Sequence, residues 1–169
     1  MSKIKLRGGA MLAPVPPVMV SCGNAEHKNI LTVAWAGITN TIPPKTYISV
    51  RPKRHSYNII KESGEFVLNL TPTSLVRAAD YCGIYTGAKV NKFEKCGLTQ
   101  IPSAEVAVPT IAEAPLALEC RVRSVTPLGT HDLFLADILA VTVRDELLDD
   151  TGKLCLERAD LCAYSHGSY

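Results

Sequence analysis

From Leu116 to Val125 the chain alternates without interruption. Leu116, Leu118, Cys120 and Val122 point one way, and Glu119, Arg121 and Arg123 point the other. A period of two is the mark of a strand with one buried face. Pro127–Gly129 breaks the pattern, and His131–Val143 reads as a second long strand, apolar on both faces except at Asp137. In an antiparallel sheet such a strand needs one face in a core and the other beneath a helix or a second subunit. An open sheet would leave that strand or its neighbours with unpaired edges. Closure removes the edges, so this pair of strands points to a closed or split antiparallel β-barrel.

The rest of the chain fits that architecture. Val18–Cys22 reads as a strand followed by a turn over 23–28, and Asn29–Ile38 as a further strand ended by the uncharged ITNTIPP segment. Tyr47–Val50 is a third strand, closed by Pro52. His55–Ser63 has the look of a short helix, with Ile59 and Ile60 inward and Gly64 just past its end. Phe66–Leu70 is a strand. Thr73 or Ser74 is placed to cap a helix reaching about Cys82, with Gly83 after it, and Val90–Cys96 is a further helical piece. Gly97–Pro115 has no period and reads as a long surface connection wrapped against the body. Regular strand–helix alternation is missing, which argues against a parallel α/β sheet.

With 169 residues and 18.3 kDa the chain makes one domain and can bury a core without disulfides. Cys22, Cys82, Cys96, Cys120, Cys155 and Cys162 form no CxxC pair and are read as reduced, mostly buried thiols of a cytoplasmic protein. The apolar stretch near the start is interrupted by Pro14, Pro16 and Pro17, unlike a secretory leader, and no uncharged apolar run is long enough to predict a spanning helix. The four histidines are isolated, so no metal site is expected.

Charge is segregated. Residues 1–100 hold 13 Lys or Arg against 5 Asp or Glu, a net of +8, whereas residues 101–169 carry a net of −6. Lys45, Arg51, Lys53, Arg54 and Lys61 follow one another with no acid between them. They make either a solvated basic face or a local site for a small anion; the overall charge of +2 argues against a dedicated nucleic-acid binder.

Three segments carry chemistry. In Ser49–Ile60 a strand ends and a helix begins within a few residues, so free backbone N–H groups meet Arg51, Arg54 and the Ser56 hydroxyl. That is a recipe for a phosphomonoester at a helix start, the alternative being that Ser56 only caps the helix. In Asn29–Thr39 the small residues Thr32, Ala34, Ala36 and Gly37 flank Trp35. They let a flat ring approach the backbone, or else mark a strand with Trp35 in the core. Lys89 and Lys92 share a face if helical, either to complete a phosphate cage or as wet surface. No GxGxxG, GxxxxGK[ST] or GxSxG motif is present, and Asp149–Asp150 before Thr151-Gly152 reads as a turn.

Taken together, TVAWAG at 32–37, YISVRPKRHSYNIIKESGEFVLNL at 47–70, ADYCG at 79–83, KVNKF at 89–93 and the tail LCAYSHGSY at 161–169 resemble the flavin reductase-like FMN-binding split barrels, in particular their flavoredoxin branch. The resemblance covers nearly the whole chain in family order. It implies a single domain, 1–169, mainly β: a six-stranded antiparallel split barrel of Greek-key type with short peripheral helices. It further implies a homodimer with one FMN in each of two interfacial clefts, and a C-terminal segment beyond Tyr169.

By carry-over, the flavin ring meets the backbone of the Thr32, Ala34, Trp35, Ala36 and Gly37 strip, and Asn29 is also among the cofactor-binding residues. Ser49, Val50 and Arg51 sit beside the flavin and its ribityl arm. Arg54, Ser56 and Tyr57 surround the phosphate, aided by Lys89 and a solvated Lys92. Asp80 and Tyr81 line the cleft, and His166 lies toward the face where a nicotinamide stacks. The implied activity is transfer of hydride from NADH or NADPH, without strong preference, to a non-covalent FMN, with electrons leaving to free flavin, iron or a redox protein. The competing expectations are an FMN electron carrier reduced by a protein partner, a non-redox ligand- or nucleic-acid-binding barrel, and a ligand-free structural domain. Few and scattered aromatics speak against nucleic acid, and no membrane partner is expected.

Overall fold

The computed structural model describes residues 1–24 and 26–169. The two long strands are there: β8 (Leu116–Pro127) and β9 (Asp132–Val143) form a hairpin. Before them come β1 (Val18–Gly23), β2 (Lys28–Val33), β3 (Ala36–Thr41), β4 (Pro44–Val50), helix α1 (His55–Ser63), β5 (Glu65–Leu70), α2 (Val76–Ile84), α3 (Lys92–Cys96) and the short pair β6 (Gln100–Ile101) and β7 (Thr110–Ile111). The turn expected at 23–28 includes Ala25, which lies outside the described residues.

Seven strands make one antiparallel sheet in the order β2-β1-β5-β8-β9-β4-β3. Its two outermost strands, β2 and β3, are consecutive in the chain and joined only by Ala34–Trp35. A sheet whose opposite edges are two residues apart has to curl until they meet. The Ser49 N–H donates to the Trp35 carbonyl at 2.8 Å, which carries the β3–β4 ladder one step past Ala36–Ile48 up to the bend. This is the expected split barrel, and it reconciles six strands with seven: Asn29–Ile38, read as one strand, is broken at the seam into β2 and β3. The ITNT segment also differs from its reading as a strand end. It belongs to β3, and the hairpin turns at Ile42-Pro43.

The interior is filled by alternate residues of every barrel strand, among them Val20, Leu31, Ile48, Phe66, Cys120 and Phe134, with Tyr57 and Ile60 of α1 packed into the same cluster. The barrel is jacketed on the outside. Met19 and Ile30 pack under Ala79 and Cys82 of α2, Phe93 of α3, and Ile111. This is why β1 is buried on both faces. The 97–115 connection does wrap the body, seating Val106 and Val108 on Val67, Ala117 and Leu139. The two faces of β9 are thereby explained in part. Phe134 and Ala136 look inward and Leu139 lies under the connection, while Leu133 and Leu135 are half-buried and Val141 is exposed. Asp137, the polar exception, pairs with Lys45 and Arg123. The helix after β5 begins with a 3-10 turn at Thr73–Leu75, and Gly83 falls inside α2 rather than after it. The six cysteines are free thiols.

Glu119 ties the jacket down. Its side chain is fully buried and accepts the N–H groups of Ala104 and Glu105 at 3.0 and 2.6 Å. Hydrogen bonds to a charged acceptor contribute about 1.5–3 kcal/mol each. Glu119→Gln keeps the shape but sets an NH2 group against one of those donors, and is expected to cost about 2 kcal/mol. Urea unfolding measures that loss, and amide exchange at residues 104 and 105 should accelerate with it; unchanged exchange there would mean the connection is held by its apolar contacts alone.

Candidate functional site

The seam opens onto a cleft of about 650 Å3. Its walls come from distant parts of the chain: Thr32, Ala34 and Trp35 at the β2–β3 break, Ser49, Val50 and Arg51 at the end of β4, Arg54 at the start of α1, and Asp80 of α2. These expected residues, from Thr32 to Asp80, share one surface because the β3–β4 ladder sets the end of β4 beside the seam, and α1 starts five residues later.

The start of α1 is chemically unfinished. Arg54 is its N-cap, with an extended backbone, and no side chain accepts from the first turn. The helix therefore presents orphan N–H groups and its positive dipole end, beside Arg51, Lys53 and Arg54 on the cleft wall. One Arg54 amino group donates to the Gly83 carbonyl in α2, which holds the guanidinium at the cleft. Thr32 Oγ1 donates to the Ala79 carbonyl at 2.6 Å and pins α2 to β2.

Other expected residues lie behind this wall. Ser56 neither caps the helix nor reaches the cleft surface. It is buried, and its hydroxyl accepts from Asn29 Nδ2 at 2.8 Å. Asn29 is buried with it, and Gly87 lies so close that a Cβ there would come within 2.1 Å of Asn29 Oδ1. Tyr57 points into the barrel and donates to Asp132 Oδ2 at 2.5 Å. Lys92 corrects an expectation outright: it is buried, with Nζ donating to the carbonyls of Ile30 at 2.6 Å and Cys82 at 2.8 Å. Desolvation lowers its pKa, which neighbouring Cys82 opposes and Arg54 reinforces. Lys89 is exposed in the turn before α3, so the two lysines share no helix face. Ala36 and Gly37 line a neighbouring groove rather than the cleft. Tyr81 stacks on Tyr85, with ring centres 4.2 Å apart.

The chain's tail closes one side. Ser165 and Ser168 exchange backbone hydrogen bonds around His166 and Gly167, both at positive φ, the two-residue turn of a tight hairpin. His166 is exposed at its tip, while Tyr164, Gly167 and Tyr169 line the cleft. Burial first, then the nearby Asp80, pushes the Tyr169 hydroxyl up to about 12.

Sequence reasoning missed His131. It lines the cleft, and Arg51 Nε donates to its Nε2 at 3.4 Å while Nδ1 lies 2.9 Å from Thr130 Oγ1. Nε2 as acceptor fixes the neutral tautomer with the proton on Nδ1. Burial, then Arg51, lowers its pKa, consistent with a neutral ring. Nothing in the sequence links positions eighty residues apart. The aromatic rings of the tail had a signal, since they flank the very motif that drew attention to His166.

A jacketed antiparallel barrel, split at a seam where an uncapped helix start faces a cleft, defines the split-barrel class. The family model for the flavin reductase like domain matches residues 11–165, and the chain belongs to that family, on its flavoredoxin branch. Flavoredoxin of Desulfovibrio vulgaris (Miyazaki F) is 31% identical and superposes with a TM-score of 0.91, over 99% of this chain and 90% of that one. An uncharacterized protein of Archaeoglobus fulgidus is 35% identical over 82% of this chain and 77% of its own length. An FMN reductase (NADH), RutF 2 of Rhizobium rhizogenes, is 23% identical over 80% of this chain and 76% of its own. Among the described residues no helix is long and apolar enough to cross a membrane.

Proposed function

We propose that this chain is an FMN-dependent oxidoreductase that accepts hydride from NADH or NADPH and hands electrons on to free flavin, iron or a redox protein. The observation that carries the reading is the uncapped start of α1 beside Arg51, Lys53 and Arg54, opening into a cleft whose far wall is the Ala34–Trp35 seam. A phosphate fits the first feature, because orphan N–H groups and a guanidinium are its natural donors. A flat ring fits the second, because the small side chain at Ala34 leaves the backbone open to it. FMN has both parts at the two ends of one molecule. The bound flavin would supply the two-electron chemistry. The chain's own part is placement: Arg54 and the helix start hold the phosphate, Arg51 lies along the arm with its orientation set by neutral His131, and the tail hairpin screens the site from water. The family and the RutF 2 relative support a nicotinamide donor.

We further propose a homodimer with the cleft at its interface, in the cytoplasm. The half-buried Leu133 and Leu135 and the free thiols support this.

Stopped-flow mixing of the FMN-loaded protein with NADH and with NADPH tests the activity. Bleaching of the flavin absorbance within seconds, at similar rates for both, is the expected result. A flavin that binds but is bleached only by a protein reductant would make the chain an electron carrier instead.

A further inference from the structure

The folded chain exposes 10084 Å2, whereas a compact monomer of this mass should expose only about 8,100 Å2. The excess of about 2,000 Å2 is of the size that one subunit covers in an obligate dimer. The amino-terminal arm contributes to it. Residues 1–13 form no strand and no helix, and Met1, Ile4, Leu6, Met11 and Leu12 stand exposed. Within the arm, Lys3-Ile4-Lys5-Leu6-Arg7 alternates charged and apolar, the pattern of a strand with one face to cover. Among the described residues it has no partner strand in its own chain.

The complementary vacancy is on β3. That strand ends the sheet, so its outer edge is unpaired, and Ile38–Thr41 is exposed. An exposed edge is a template for strand addition. Beside it runs an apolar groove of about 550 Å3, walled by Trp35, Ile38 and Tyr47 and by the arm's own Met11 and Leu12.

We propose that the arm is exchanged between two copies of this chain: Lys3–Arg7 of each adds to the free edge of β3 in the other and lays Ile4 and Leu6 into its Trp35–Ile38–Tyr47 groove. Lys3, Lys5 and Arg7 then face water, as the alternation requires. The exchange builds the cleft. Ala34 and Trp35 wall both the cleft and the groove, so the partner's apolar residues back the seam from outside. The root of the arm is bonded to the tail, Val15 and Tyr164 exchanging N–H···O bonds at 2.9 and 2.8 Å, so a captured arm also anchors the cleft-lining Tyr164. This rests on the dimer proposed above and specifies how it is made.

Two measurements on the full chain test it. Sedimentation should find a dimer, and I4D/L6D, whose changes lie outside the barrel, should weaken it at least about a hundredfold, with FMN affinity falling in parallel. Leu6 replaced by the photo-cross-linker benzoylphenylalanine should give a covalent dimer on illumination, with the attachment mapped by mass spectrometry to β3 of the other chain. A dimer that I4D/L6D leaves intact, attachment within one chain, or attachment away from β3 would overturn the exchange while leaving the dimer standing. A wild-type monomer at every concentration would overturn both.

Discussion

Arg54→Ala is expected to weaken FMN binding by about tenfold to over a hundredfold while leaving riboflavin binding nearly unchanged. Arg54 is half-buried at the start of α1, with one amino group held by the Gly83 carbonyl, which leaves the rest of the guanidinium free to face a phosphate. Each charge-assisted hydrogen bond lost there is worth roughly 1.5–3 kcal/mol, which converts to that range of affinity. Riboflavin keeps the ring and lacks the phosphate, so it isolates the effect. Quenching of flavin fluorescence, titrated with both flavins, provides the measurement. An equal loss for the two flavins would place Arg54 at the ring or in the fold and sink the phosphate assignment.

Lys92→Met should behave in the opposite way. From the sequence it stands as a solvated helper at the phosphate, whose loss would cost little. In the fold it is a buried cation whose ammonium joins β2 to the end of α2 through the Ile30 and Cys82 carbonyls. Removing it leaves both carbonyls without that donor, offset in part by no longer burying a charge. The expected cost is about 3 kcal/mol, or roughly 6–12 °C of Tm for a domain of this size. FMN and riboflavin affinities should fall together if they fall at all. There is also a pH signature. The folded-state pKa of Lys92 lies below the ordinary lysine value of 10.5, chiefly through burial. Between the two values the unfolded chain binds more protons, so this group adds stability as pH rises toward 10.5 and withdraws it as pH falls through the folded value. The difference in stability between wild type and Lys92→Met should therefore widen across that window. A constant difference would mean that Lys92 is not desolvated.

How far the molecule was legible depended on how local each signal is. Helix α1 is read to the residue because strand end, proline, helix and αL glycine follow one another within a short stretch; Gly64 sits at φ 69 as its position implies. The long hairpin is legible because its alternation is carried in the strands themselves. The break at Ala34–Trp35 is not. Asn29–Ile38 is one continuous β-forming run, and only closure of the whole sheet forces it to change partners there. The same limit applies to side chains. Ser56 has the composition of a cap, yet Asn29, brought in by β2, turns it inward. Lys89 and Lys92 look equivalent at i,i+3, but α3 begins at Lys92, and the shell of α2 and β2 takes only that one in. The cleft-lining run Ser49, Val50, Arg51 and Arg54 is legible because it is local; the His131–Arg51 contact, made where β4 and β9 pair, has no local trace.

The two-residue join between the edges of the sheet also sets what kind of change the chain tolerates. Ala34–Trp35 is the buckle of a hoop whose circumference is fixed by the ladders on either side. Replacing a residue there alters what the cleft wall offers. Inserting one lengthens the hoop and displaces Trp35, whose carbonyl is the last acceptor of the β3–β4 ladder, so the Ser49 N–H loses its partner and the cleft wall is re-aimed. The exposed bend at Leu128–Gly129 between β8 and β9 is freer, because added length there extends a loop into water. Across relatives and designed variants alike, length should vary at that bend and stay fixed at the seam.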